Sequence, residues 1–302
     1  MENTQQPGII GEQSKLLSID TSTSAMTVAV LEGSRMLEEV NSHAERNHSI
    51  HLLPIIERLL KSLDLQVDDL DGIVVGQGPG SYTGVRIGVT VGKTLAWVRN
   101  VPVLGVSSLE ALCYGSRQGC GDSPSGAQAD ESEGNTSGEE GYAEALARHS
   151  DLASVGEQEA EPAAGLRWVV PLMDARRGQA YTALFSAKKD GSEWKRLEED
   201  RILLVEDWLK QLQGRWKEAS AAERPDSIVF AGEPGRFQGL LDIFATDTGL
   251  PVEQSDRSIR AEHVGQLGVR YWSEGRRQDT HGFVPNYTQL AEAEVKLKAA
   301  KK

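Results

Sequence analysis

Three glycines, Gly84, Gly88 and Gly92, recur every four residues within GQGPGSYTGVRIGVTVGKTLA, residues 76–96. This segment follows a short apolar run, Gly72-Ile73-Val74-Val75, that reads as a buried strand. A Gly/Pro turn comes next, and Ser81 and Thr83 are both available to cap the helix predicted beyond it. Residues four apart share a helix face, so the glycines form one smooth stripe. Each costs a helix interior up to about 1 kcal/mol relative to alanine. Such a stripe requires a close neighbour, either a sheet or another helix.

The segment imitates two phosphate-binding motifs. Gly88-Val89-Thr90-Val91-Gly92-Lys93-Thr94 imitates the phosphate loop G-x-x-x-x-G-K-T, but it has three residues between its glycines and lies in mid-helix. It is not a P-loop. The GQGPG turn has the form of an anion cradle at a helix N-terminus, a form shared by many proteins.

The pattern of periodicities organises the rest of the chain. Residues 16–20, 27–31 and 35–41 read as strands, with Glu32-Gly33-Ser34 as a turn. A helix over 47–62, the strand 72–75, the glycine-striped helix, a strand over 103–105 and a helix from Ser107 follow. Ser107 and Glu110 have the spacing of a capping box. Beyond residue 165 the order returns: strands at 168–173, 179–185 and 196–204, a helix at 205–213, a strand at 227–231, and helices at 237–244 and 261–272. Two β-β-β-α-β-α units predict an α/β fold of two ribonuclease-H-like lobes, each a mixed sheet flanked by helices.

Residues 115–165 break that order. They hold eleven Asp/Glu against Arg117 and Arg148, nine of the chain's thirteen net negative charges, in a Gly/Ser-rich stretch with little to bury. Within it, 142–152 has the pattern of a transient helix. The expected organisation is therefore a disordered extension over 1–14, a first lobe over 15–114, the acidic insert over 115–165, a second lobe over 166–290 and a tail over 291–302. A net charge of −13 argues against a chain that binds nucleic acid alone. No run reaches the roughly 18 apolar residues of a membrane span. With Cys113 and Cys120 as the only cysteines, free thiols and a cytoplasmic location are expected.

GPGSYTGVRIG resembles the signature GPGSFTGxRxG of the TsaB family, also called YeaZ. LLSIDTSTSAMTVAVLEG, HSIHLLPIIERLL, GVSSLEAL and MDARRGQAYTALF are similar to further family segments in the expected order, and FVPNYTQLAEAEVK matches more loosely. The resemblance implies the architecture of the actin, Hsp70 and sugar-kinase group. It also implies a non-catalytic dimerisation subunit, needed for threonylcarbamoyl transfer to N6 of adenosine 37 in tRNAs that read ANN codons. Its expected partners are the catalytic paralogue TsaD, as a heterodimer, and the ATPase TsaE, with tRNA reached only through the complex. A homodimer of the free chain remains open, and no cofactor or metal is implied. The acidic insert departs from the family, in which a much shorter connection is expected.

By the same resemblance the two helices of the first lobe make the partner interface. The residues are His48, His51, Leu52, Ile55, Tyr82, Thr83, Gly84, Arg86, Gly88 and Gly92, with the glycines flattening a face for a partner helix. Other residues carry competing readings. Asp20-Thr21-Ser22-Thr23 occupies the position of a D-x-G-[ST] phosphate loop, with Ser22 where the glycine belongs; with Ser81 it forms an anion site or caps its own turn. Arg176 and Arg177, in the turn after Asp174, are solvated or contact phosphate or an acidic partner. His48 and His51 have chelating spacing, with His43 and Glu45 upstream, but no clear further ligands; two polar positions beside a core face is the preferred reading. No catalytic constellation is visible. The alternative functions are an ATPase or phosphotransferase built on Asp20 and, last, a metallopeptidase homologue.

Overall fold

The computed structural model describes residues 10–42, 48–116 and 165–288. The first half contributes β1 (Lys15–Asp20), β2 (Met26–Glu32), β3 (Arg35–Ser42), α1 (His48–Ser62), β4 (Gly72–Gly76), α2 (Tyr82–Arg99), β5 (Val103–Val106) and α3 (Ser108–Tyr114). The second contributes β6 (Leu166–Asp174), β7 (Gln179–Lys188), β8 (Trp194–Leu204), α4 (Val205–Glu218), β9 (Ser227–Gly232), α5 (Gln238–Thr248), β10 (Val252–Ser255) and α6 (Ala261–Ser273).

Each half builds a five-stranded mixed sheet of the same topology, β3-β2-β1-β4-β5 and β8-β7-β6-β9-β10. In the first, Ile19 lies opposite Val28 on antiparallel β2 and Val75 on parallel β4. In the second, Val169 lies opposite Phe185 on antiparallel β7 and Val229 on parallel β9. The central strands are buried on both faces, which is why they read as continuous apolar runs without alternation. This is the duplicated ribonuclease-H-like fold expected from the order of elements.

The helices depart from a simple division at residue 115. α1 and α2 cover one face of the first sheet, but its other face is covered by α6, from the end of the chain. The second sheet is covered by α4 and α5 on one side and by α3, from the first half, on the other. The two halves thus exchange one helix each, and α3 and α6 pack together between the sheets. Gly268 lets α6 sit close to Val74, where a methyl group would come within 2.5 Å of a valine carbon. The lobes of 15–114 and 166–290 are contiguous in sequence but not in packing.

One boundary also moves. Ile10 packs on the core and Ser14 accepts from the Gly33 amide, so the part of 1–14 that is described, residues 10–14, is docked. β10 escaped the sequence because VEQS offers one apolar residue and no alternation. Residues 142–152 and the tail 291–302 lie outside the described residues.

Candidate partner surface and a closed anion pocket

α2 presents three different faces. Ser81, and not Thr83, is its N-cap, accepting from the Gly84 amide, and left-handed Asn100 ends it. Gly84, Gly88, Gly92 and Ala96 are buried against the sheet. Between the sheet and a partner helix as the neighbour the stripe requires, the structure gives the sheet. Thr21 Oγ1 donates to the Gly84 carbonyl at 2.7 Å and accepts from the Gly88 amide at 3.2 Å, so one hydroxyl bridges a carbonyl and amide four residues apart. A second face, Ile87, Val91 and Leu95, packs on the cluster that holds α1. Only the third face looks outward.

That placement divides the expected interface residues. His48, Leu52 and Ile55 point into the lobe with the three glycines, because the i, i+4, i+7 stripe they share is the one that covers β1 and β2. They shape α1 and α2 from beneath and present nothing to a partner. His51, Tyr82, Thr83 and Arg86 are exposed. Beside them lie apolar residues that sequence reasoning passed over: Ile50 (64% exposed), Leu53 (54%), Trp97 (63%) and Val98 (66%), with Tyr82 at 54%. Their signal was available, as large apolar residues on the polar side of each helical period.

Asp20, at the end of β1, is buried and fully occupied. Its carboxylate accepts from the Ser22 amide (2.8 Å), the Ser22 hydroxyl (2.7 Å) and the Ser108 hydroxyl (2.5 Å). Burial pushes its carboxyl up, opposed in turn by the Ser108 and Ser22 hydrogen bonds and by nearby His48. Glycine is needed at Gly76 because a side chain there would meet the Asp20 carboxylate. Thr21 and Ser22 spend their hydroxyls on α2 and on Asp20. The backbone is equally engaged, with the Ser81 amide donating to the Ser22 carbonyl at 2.7 Å. Among the expected anion contacts these residues cap one another.

The second half repeats the device in open form. Asp174 ends β6 as Asp20 ends β1, and its Oδ1 accepts from the Arg176 amide at 2.8 Å. Arg176 (φ +68°) and Arg177 (φ +54°) are left-handed and exposed, and Asp174 also faces Arg236. Neither arginine forms a hydrogen bond to the Asp20 cluster. Among the described residues no group of three or more His, Cys, Asp or Glu is placed to hold a metal. His48 Nε2 lies 3.1 Å from the Thr23 carbonyl, while His51 is exposed; His43 and Glu45 lie outside the described residues. No described helix is long and apolar enough to cross a membrane.

Sequence reasoning missed a buried polar network between the halves. Glu110 on α3 accepts from Trp194 Nε1 (3.0 Å), Arg196 Nη2 (2.7 Å) and the Tyr271 hydroxyl (2.5 Å). Its carboxylate therefore does not return to the Ser107 cap, and the expected capping box is half formed. Arg196 Nη1 donates to Asp200, which also accepts from Ser107 and from Asn286. Asn286 belongs to an extended strap, residues 278–288, that crosses from α6 to α2. Gln77 Nε2 donates to the Val284 carbonyl and accepts, at its own carbonyl, from the Asn286 amide. Phe283 is buried with Val85 and Val89, Lys93 donates to the His281 carbonyl, and the Tyr287 ring lies 5.5 Å from that of Tyr82.

Comparison with known proteins places this geometry. A family model described as TsaD, tRNA N6-adenosine threonylcarbamoyltransferase, matches residues 40–127. The tRNA threonylcarbamoyladenosine biosynthesis protein TsaB of Bacillus subtilis (strain 168) is 32% identical over 283 residues, 93% of this chain and 96% of that protein. The Haemophilus influenzae protein of the same name is 38% identical over 97 residues, 32% of this chain and 41% of its own. YeaZ from Pseudomonas aeruginosa shares the fold, with a TM-score of 0.59, 22% identity, and coverage of 91% of this chain and 99% of its own. On the length and identity of the Bacillus match, the chain belongs to the TsaB family of tRNA threonylcarbamoyladenosine biosynthesis proteins.

Proposed function

We propose that the chain is a non-catalytic scaffold in the formation of threonylcarbamoyladenosine at position 37 of tRNAs reading ANN codons. It acts by pairing with a TsaD-type catalytic paralogue through the outward face of α1 and α2, and the pair supports a TsaE-type ATPase. The observation that carries this reading is the exposure of the large apolar residues Ile50, Leu53, Tyr82, Trp97 and Val98 on two adjacent helices. Exposed apolar patches of this kind mark protein interaction sites. The match of residues 40–127 to a TsaD model supports a pairing of like with like. The same patch offers an isologous surface for a homodimer of the free chain.

The enzyme alternative depends on Asp20, whose acceptors are already filled by Ser22 and Ser108. Titration calorimetry of the isolated chain with Mg-ATP tests it, with no saturable heat expected. Gel filtration with the TsaD-type protein of the same organism tests the scaffold reading. Wild type is expected to co-elute, and Leu53→Asp, which alters an exposed residue, to elute separately while keeping its circular dichroism.

A further inference from the structure

The outward face of α2 is not open to solvent along its whole width. The strap lies beside it, and between them runs a groove of about 530 Å³, walled on one side by α2 from Arg86 to Trp97 and on the other by residues 280–287. Eleven residues line it, among them Arg86, Lys93 and His281, and none is Asp or Glu. In a chain of 45 Asp/Glu and 32 Lys/Arg, an acid-free strip that holds Arg86 and Lys93 is a local reversal of charge.

Among the described residues no carboxylate forms an ion pair with Arg86 or Lys93. Arg86 donates to the Tyr82 hydroxyl and lies over that ring, and Lys93 donates to the carbonyls of His281 and Phe283. Trp97 at one end and Tyr287 at the other give the groove apolar limits, both of them exposed. From Arg86 to Trp97 the helix rises eleven steps, about 16 Å or three turns. The strap is held in place by buried Phe283 and by its bonds to Gln77 and Asp200, so the groove is preformed and little ordering cost remains for an occupant.

We propose that this groove seats an acidic, amphipathic segment of about three helical turns from the partner protein. Carboxylates of the segment meet Arg86 and His281, and its apolar residues cover Trp97 and Tyr287, in the manner of a helix laid in a groove. The inference rests on the scaffold reading and adds to it the strap as a second wall and the charge of what it receives. It also gives the contact a salt dependence that an apolar helix pair lacks.

The test is calorimetric titration of the full chain with the full-length TsaD-type protein of the same organism, at low and high salt. The variants are Arg86→Glu, Arg86→Lys, Trp97→Ala and Leu53→Asp, each checked by circular dichroism. Wild type is expected to bind more weakly as salt rises. Arg86→Glu should weaken low-salt binding at least tenfold and flatten the salt dependence, Arg86→Lys should retain most of both, and Trp97→Ala should weaken binding at either salt. If Arg86→Glu and Trp97→Ala bind as wild type while Leu53→Asp fails, the groove proposal is overturned and the scaffold reading stands. If wild type itself does not bind, both fall. If Arg86→Glu instead abolishes binding of tRNA, or self-association measured by sedimentation, with partner affinity unchanged, the occupant is nucleic acid or a second copy and the proposal is wrong.

Discussion

Ser108 Oγ donates to Asp20 Oδ2 at 2.5 Å, joining the first turn of α3 to the end of β1 across 88 residues of sequence. The same hydroxyl accepts from the Gly78 amide at 3.0 Å. One serine therefore ties the β1 carboxylate and the glycine-rich turn after β4 into a single cluster. A loop poised to receive phosphate needs free donors; here the Ser22 and Ser108 hydroxyls and the Ser81 amide all donate inside the chain. The pocket is closed by its own side chains.

That closure has a pH signature. Burial raises the Asp20 carboxyl above its ordinary 3.8, so the folded chain holds this proton more tightly than the unfolded chain does. Stability from this group is greatest below the ordinary pKa, declines as pH rises through the raised folded value, and is level above it. Asp20→Asn has no such dependence. Urea unfolding of both proteins between about pH 7 and pH 4.5 is expected to show wild type gaining on the variant as pH falls.

Gly88 is the second element of the closure. A methyl group at Gly88 would lie 2.5 Å from Thr21 Oγ1, which already bridges the Gly84 carbonyl and the Gly88 amide. Gly88→Ala is expected to lose about 1–3 kcal/mol, the usual cost of overpacking, read as a lower melting temperature of the isolated chain. A larger residue such as leucine would perturb the lobe itself, so it does not isolate partner binding. A Gly88→Ala protein as stable as wild type would remove the close approach from the account.

The interlobe network predicts a stability effect of its own. Arg196 is the cation between buried Glu110 and Asp200, and its ring contact with Phe185 is 4.7 Å. Arg196→Ala leaves two buried carboxylates without their positive partner and is expected to cost about 3–5 kcal/mol in denaturant unfolding. Through Asp200 the same residue holds Asn286 and the strap. The variant is therefore also expected to loosen the strap, seen as faster amide exchange at Asn286.

Much of this architecture was legible in the sequence, for reasons that can be named. The strands of the two sheet centres are unbroken apolar runs, and the order of elements repeats, so the duplicated fold followed directly. The glycine stripe announced a close contact, and the choice between sheet and helix rested on what faced it, which is a tertiary fact: Thr21 and Val75 lie 67 and 17 residues away from Gly88 and Gly92. The exchange of α3 and α6 left no mark because an amphipathic helix specifies that it covers a sheet without specifying which. Glu110 looked like half of a capping box because its real partners, Trp194, Arg196 and Tyr271, are 84 to 161 residues distant. The two helices of the proposed interface were singled out by resemblance, whereas the outward side of α1 was readable from period alone at Ile50 and Leu53.

Ile50 and Leu53 offer the cleanest separation of binding from folding, since both are exposed and neither contributes to the core. Ile50→Asp and Leu53→Asp are expected to leave the melting temperature within a few degrees of wild type, as exposed substitutions change stability by about 0.5 kcal/mol or less. Each should abolish co-elution with the TsaD-type protein. Loss of folding in either variant would mean that the outward face of α1 is covered within the chain.

The most direct measurement is reconstitution of tRNA modification with the TsaD-type transferase, the TsaE-type ATPase and the enzyme that supplies the carbamoyl donor. Nucleosides are quantified by mass spectrometry with this chain present, absent, or replaced by Leu53→Asp. The account predicts threonylcarbamoyladenosine only with the wild-type chain, and none with Leu53→Asp or without it. Equal product in the absence of the chain would contradict it.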